Sequence, residues 1–146
     1  LVTATSFTNP RRMADGFDVN RLNLLVAVIE KHVKLSLSSF DIFINVAGGF
    51  AVDDTSCDLA IAAAIISSLK NFAIPHSTGI IGELSLSGQI RPVSHILRRI
   101  TEFTNSGITS IILSKNNINE MSIQDVATTL IPITSIVELT KVLQPQ

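Results

Sequence analysis

The stretch FDIFINVAGGFAVDDTSCDLAIAAAIISSLKNF, residues 40–72, decides how this chain is read. Its first seven residues are rich in β-branched and aromatic side chains, the composition of a strand. Gly48 and Gly49 break that pattern. From about Thr55 to Phe72 the chain is Ala- and Ile-rich nearly all round, which predicts a helix buried at the centre of the fold. Strands interleaved with helices predict an α/β or α+β domain. The same stretch sets Ser56 and Cys57 where a glycine turn gives way to a helix, a place used by enzymes for a nucleophile.

Outward from this centre the signals are local. Residues 1–17 are polar and carry turn markers at Pro10 and Gly16, which reads as a lead-in segment. Asp18 is placed to cap a helix running to about Val33, in which Leu22, Leu25, Val26, Ile29 and Val33 recur at helical spacing. IIGELSLSGQI (80–90) predicts a hairpin turning at Ser87–Gly88. Pro92 introduces a helix from about Ser94 to Asn105, and Gly107 is placed to stop it. SIIL (110–113) is a strand. The capping-box patterns SIQD (122–125) and SIVE (135–138) predict two short closing helices.

The chain of 146 residues fits one domain, 1–146, and its 46% hydrophobic content is enough for a packed core. The longest apolar run, Leu59–Ile66, falls far short of the roughly 20 residues that span a bilayer, so no membrane partner is expected. The N-terminus lacks the basic-then-apolar pattern of a secretion signal. A single cysteine cannot form an internal disulfide, which suits a reducing, cytoplasmic setting. A net charge of −1 excludes a globally basic nucleic-acid binder, leaving only a local patch for that purpose. Starting at Leu1 with no methionine, the chain reads as a domain excised from a longer protein.

Three segments carry a family likeness: NPRRMADGFDVNRLNLLVAVIEKH (9–32), FINVAGGFAVDDTSCDLAIAAAIISS (43–68) and IGELSLSGQIRPVSHILRRI (81–100). Together they resemble the C-terminal domain of the RadA (Sms) family of bacterial recombination and repair proteins, which is similar to the proteolytic domain of Lon. The resemblance implies a Lon-like fold of the ribosomal-protein-S5-domain-2 type. It also implies a parent protein with a zinc module and a P-loop ATPase core, a DNA-dependent ATPase or helicase acting on branched DNA as a hexameric ring. Neither module lies in this sequence: it contains no GxxxxGK[ST], and one cysteine cannot supply a four-ligand zinc site. ATP, Mg and Zn are therefore expected only in other parts of such a protein, with no cofactor and no metal in this domain.

Lon peptidases use a serine–lysine dyad, and the resemblance puts Ser56 at the nucleophile position and Leu97 at the lysine position. A serine hydroxyl is a poor nucleophile without a group to take its proton. Arg98 and Arg99 cannot take it, because a guanidinium does not deprotonate in proteins. Lys70 lies about 21 Å along the same helix at about 1.5 Å per residue. His95 is the remaining titratable candidate, but at about 3.6 residues per turn it faces away from the direction of Leu97. Ser56 is accordingly expected to be inactive, and the domain not to be an enzyme.

Asp53, Asp54 and Asp58 cluster at the helix start, where the helix dipole alone favours carboxylates. A Mg²⁺ site there would usually need a substrate phosphate as well. Cys57, beside those aspartates, reads as a small packing residue with a raised pKa rather than a reactive thiolate. His95, Arg98 and Arg99 share the polar face of the helix from Ser94, opposite Ile96, Ile100 and Phe103, with Arg91 just upstream. Arg11 and Arg12 make a second basic pair. With the resemblance, these six residues are the candidate DNA-binding set, and the absence of Trp and Tyr predicts sequence-independent contact without base stacking. The expected function is a non-catalytic scaffold that supports a hexamer and contacts duplex or branched DNA. Two other readings stand beside it: a working Lon-type serine peptidase with an unusual base, and a protein-interaction module without DNA contact.

Overall fold

The computed structural model describes residues 1–6, 9–119 and 127–143; the capping box at 122–125 lies outside them. The first sheet is built around β3 (Phe40–Asn45), the strand expected from the sequence. It is flanked by β1 (Val2–Ala4), antiparallel to it, and β2 (Arg12–Asp15), parallel to it. The first 17 residues are therefore not a lead-in but supply both outer strands. Their polarity has a physical reason, since outer strands leave much of their surface to solvent and Met13 projects outward. Arginines hold this sheet together from within. Arg11 donates to buried Asp41 through its backbone N–H (2.7 Å) and its guanidinium (2.9 Å), and Arg12 donates to the carbonyls of Leu37 (2.9 Å) and Phe40.

Helix α1 (Val19–Val28) is capped by the Asp18 carboxylate, which accepts the Arg21 N–H at 2.7 Å, as the sequence suggests. It continues as a wider π turn over Ile29–Val33 and ends at Lys34 in the left-handed region. Helix α2 (Asp58–Lys70) follows a 3₁₀ turn at Thr55–Cys57 and buries Leu59, Ala62, Ala63, Ile65 and Ile66. It packs on α1 and on α5 (Ile136–Leu143), the second of the two closing helices expected.

The second sheet is wholly parallel, in the order β4 (Thr78–Ile80), β7 (Ser110–Ser114), β8 (Thr129–Ile133). Alternation along β7 sends Ile112 into the main core beneath α2 and α5, while Ile111 and Leu113 join Ile96, Ile100 and Phe103 of α3 (Ile96–Asn105) on the other face. This arrangement of helices on sheets with parallel pairing is the α/β class expected, and it is compatible with a Lon-like domain.

Only part of the 80–90 segment is a hairpin. Ile80 closes β4 in the parallel sheet, and the antiparallel pair is β5 (Glu83–Leu84) with β6 (Ile90–Arg91). Its turn needs glycine at position 88, where φ is +78° and a Cβ would come within 2.8 Å of the His32 ring.

Helix α3 begins at Ile96 rather than Ser94. Buried Asn117, in the short helix α4 (Lys115–Asn119), accepts the Val93 N–H at 3.0 Å and donates to the Val93 carbonyl at 2.9 Å. His95 then turns through a left-handed conformation before the helix starts. At the other end Gly107 completes a Schellman stop, with its N–H donating to Thr104 and that of Ile108 to Phe103, both at 3.0 Å. Among the described residues, no helix is long and apolar enough to cross a membrane.

Candidate functional site

A cleft of about 580 Å³ opens between the start of α2 and the polar side of α3. Ser56 and Cys57 contribute one side, Ile80, Ile81 and Phe103 give it apolar surface, and His95, Arg98, Arg99 and Glu102 stand along the α3 side. The structure thus brings three of the six basic candidates to the serine that the sequence singled out. Leu97, at the position of the dyad lysine, is 54% exposed and does not line this cleft.

Ser56 is positioned by its neighbours. Asp54 caps the 3₁₀ turn by accepting the Ser56 N–H at 2.9 Å, and the Ser56 carbonyl accepts the Gly82 N–H at 2.9 Å. The serine is only 3% exposed. Its hydroxyl oxygen accepts a hydrogen bond of 3.0 Å from Nη1 of Arg99, whose Nη2 reaches Asp54 at 2.7 Å and whose Nε reaches the Ser94 carbonyl at 3.0 Å. All three guanidinium nitrogens are therefore used inside the chain. Arg99, grouped in the sequence reading with the candidate DNA-binding residues on the polar face of the helix, is the clamp that joins α3 to the start of α2.

In this geometry the hydroxyl oxygen of Ser56 meets a hydrogen-bond donor. A base must accept the serine proton, whereas Arg99 is a permanent cation that donates to the oxygen. Asp54 is held down to about 2, first by the N–H of Ser56 and then by the Arg99 guanidinium. Cys57 is pushed up, chiefly by burial, with Asp54 and Asp58 adding to the effect.

A carboxyl titration checks the clamp. Asp54 is expected to titrate near 2 in the folded chain, against an ordinary 3.8. Its folded pKa is depressed, so its contribution to stability is present above the ordinary value and is lost as the pH falls through about 2. Half-exposure keeps that contribution small. In Arg99→Ala the midpoint, followed by carbon-detected NMR, should rise without reaching the ordinary value, because the Ser56 N–H remains. No rise at all would mean that Arg99 does not hold Asp54 in solution.

The other candidates lie elsewhere. Arg91 pairs with Glu83 at 3.2 Å, is 64% exposed, and borders a separate hollow shared with Arg21 and Asp58. Arg11 and Arg12 serve the first sheet as described, with Arg11 also set over the Phe43 ring at 5.5 Å. The three aspartates diverge. Asp54 goes to Arg99, Asp53 is exposed, and Asp58 is fully buried. Both Asp58 oxygens are bound by Arg21, and one also accepts the Leu84 N–H at 3.2 Å. That buried pair was not foreseen from the sequence, where Arg21 looks like any polar residue in a first helical turn.

The family model described as subunit ChlI of Mg-chelatase matches residues 21–117. DNA repair protein RadA of Helicobacter pylori (strain ATCC 700392 / 26695) is 43% identical over 124 residues, covering 85% of this chain and 28% of its own length. RadA of Halalkalibacterium halodurans is 44% identical over 124 residues, 84% of this chain and 27% of the relative. RadA of Bacillus subtilis (strain 168) is 42% identical over 119 residues, 82% and 26% respectively. The chain spans about a quarter of the length of these curated relatives.

Proposed function

This chain belongs to the family described as subunit ChlI of Mg-chelatase and aligns with one part of DNA repair protein RadA, as a C-terminal domain would, and we propose from that premise that it is a non-catalytic scaffold domain of a RadA-type repair protein. The observation that carries the non-catalytic reading is the Arg99 guanidinium on the Ser56 hydroxyl, with Asp54 neutralising it. In this reading the domain supports a hexameric ring, and ATP, Mg and Zn chemistry belongs to other parts of the repair protein. A ring requires each subunit to offer two different faces to its neighbours.

The domain also contributes weak, sequence-independent contact to DNA. Arg98 and Arg91 are its main exposed cations in the candidate set, with His95 beside Arg98; Arg11, Arg12 and Arg99 are committed to internal hydrogen bonds. Each phosphate contact adds about −0.9 to the slope of log affinity against log salt, so two arginines give a slope of about −2. A fluorescence-anisotropy titration on duplexes of different sequence is expected to show that slope and no sequence preference. Arg98→Ala should flatten it by about one unit. An unchanged slope and affinity in Arg98→Ala would remove α3 as a DNA surface.

A further inference from the structure

We propose that α3 is a latched flap, a unit that swings off the second sheet about His95 and Gly107 while the rest of the fold stays closed, with the Arg99 guanidinium as its latch. The chain is anchored just outside both of these points. Before the first, buried Asn117 holds the N–H and the carbonyl of Val93. Beyond the second, the Thr109 N–H donates to the Ser77 carbonyl at 2.9 Å. Between the anchors the backbone turns at two left-handed residues, His95 with φ +55° and Gly107 with φ +83°. A hinge needs only a few residues at element ends that take up a change in φ and ψ. His95 carries a side chain, so its left-handed conformation also stores strain that leaving it relieves.

The flap is lightly held on its apolar side. α3 buries Ile96 and Ile100, with Phe103 half-buried, and these belong to the smaller cluster on the far face of the second sheet. α2 buries Leu59, Ala62, Ala63, Ile65 and Ile66 in the main core. Detaching α3 therefore uncovers less apolar surface than moving α2, and the units that open first are those with the fewest buried apolar contacts. Two polar ties hold it as well. The Thr104 and Thr128 hydroxyls meet at 2.6 Å, and Arg99 reaches Ser56 and Asp54 at the start of α2. Ser56 and Arg99 line both the cleft of about 580 Å³ and a second hollow of about 130 Å³ beside Thr55 and Pro92, so their hydrogen bond stands between the two. Releasing the latch joins the hollows and uncovers Ser56, which the closed flap leaves 3% exposed. The flap does not depend on whether that serine is inert.

A helix of ten residues is marginal in water by itself, so α3 loses its hydrogen bonds when it detaches, and hydrogen exchange reads the opening. In native-state exchange at low urea, the amides of residues 100–105 should share one opening with little urea dependence, about tenfold or more faster than those of residues 62–66 in α2. Arg99→Ala should speed exchange in 100–105 about tenfold and Asp54→Asn about threefold, both leaving 62–66 unchanged. Because the two changes remove one latch, the double variant should open α3 no more than Arg99→Ala does. The flap is overturned if α2 and α3 exchange together in the parent, if both accelerate equally in the variants, or if neither variant changes α3. Additive effects in the double variant would overturn Arg99 and Asp54 as a single latch. Should Arg99→Ala fail to fold, the parent profile and Asp54→Asn decide by the same criteria.

Discussion

Arg21→Ala is expected to lower the stability of the chain by about 3–5 kcal/mol, the cost of leaving a buried charge without its partner. Asp58 is fully buried and its oxygens take the Arg21 guanidinium on one side and the Leu84 N–H on the other. Three elements meet at that carboxylate: α1 through Arg21, α2 through Asp58 itself, and β5 through Leu84. Asp58 lies two residues beyond Ser56, so the same pair fixes where the cleft wall begins. Urea denaturation distinguishes a charge effect from simple loss of packing. Replacing both partners with apolar residues, Arg21→Met with Asp58→Leu, should recover most of the loss, because an uncompensated charge is no longer buried. A loss below about 1 kcal/mol in Arg21→Ala would show an exposed-type ion pair that does not organise the fold. A double variant as unstable as the single one would assign the loss to packing.

What the sequence disclosed depended on whether the signal was local. The helix caps at Asp18 and Gly107 lie within a few residues of the groups they satisfy, and both stand where the pattern put them. The buried helix α2 was legible because Ala and Ile on nearly every side leave it only a core to occupy. β1, β2, β4 and β8 were not, because each is three to five residues long and flanks a central strand, so its pairing partner is remote in sequence. Pro132 further hid β8, since proline is tolerated only where a strand edge needs no N–H. The start of α3 was displaced by Asn117, more than twenty residues downstream, whose grip on Val93 no local pattern announces. The site followed the same rule. Helical spacing grouped Arg98 and Arg99, and His95 reaches the same cleft from the left-handed turn before the helix; their division into one clamp and two cleft-facing groups depends on Asp54, which lies 45 residues from Arg99.

Ser56 is expected to resist a fluorophosphonate, reacting about 10²–10⁴-fold more slowly than a serine served by a general base. The reason lies in its two neighbours: the hydroxyl oxygen receives a proton donor from Arg99, and the adjacent Asp54 carboxylate, held down to about 2, is too weak a base to take the proton of the hydroxyl. The obvious repair, Arg99→Lys, should also fail. Asp54 remains ionised down to about 2, and a carboxylate beside an ammonium favours the charged amine, which cannot act as base. Removing that carboxylate is therefore the decisive second change. Arg99→Lys with Asp54→Asn keeps a side chain able to cap the Ser56 N–H and leaves the lysine in a half-buried cleft without the carboxylate that pairs with residue 99, where burial lowers its pKa. Measurable, Ser56-dependent labelling is expected first in that double variant and in neither single one. Stoichiometric labelling of the unmodified chain, abolished by Ser56→Ala, would show that another group serves as base and would return the domain to the working peptidases. Equal, absent labelling in the double variant would show that proton transfer is not the only element missing, and that the buried serine lacks the access or alignment for attack as well.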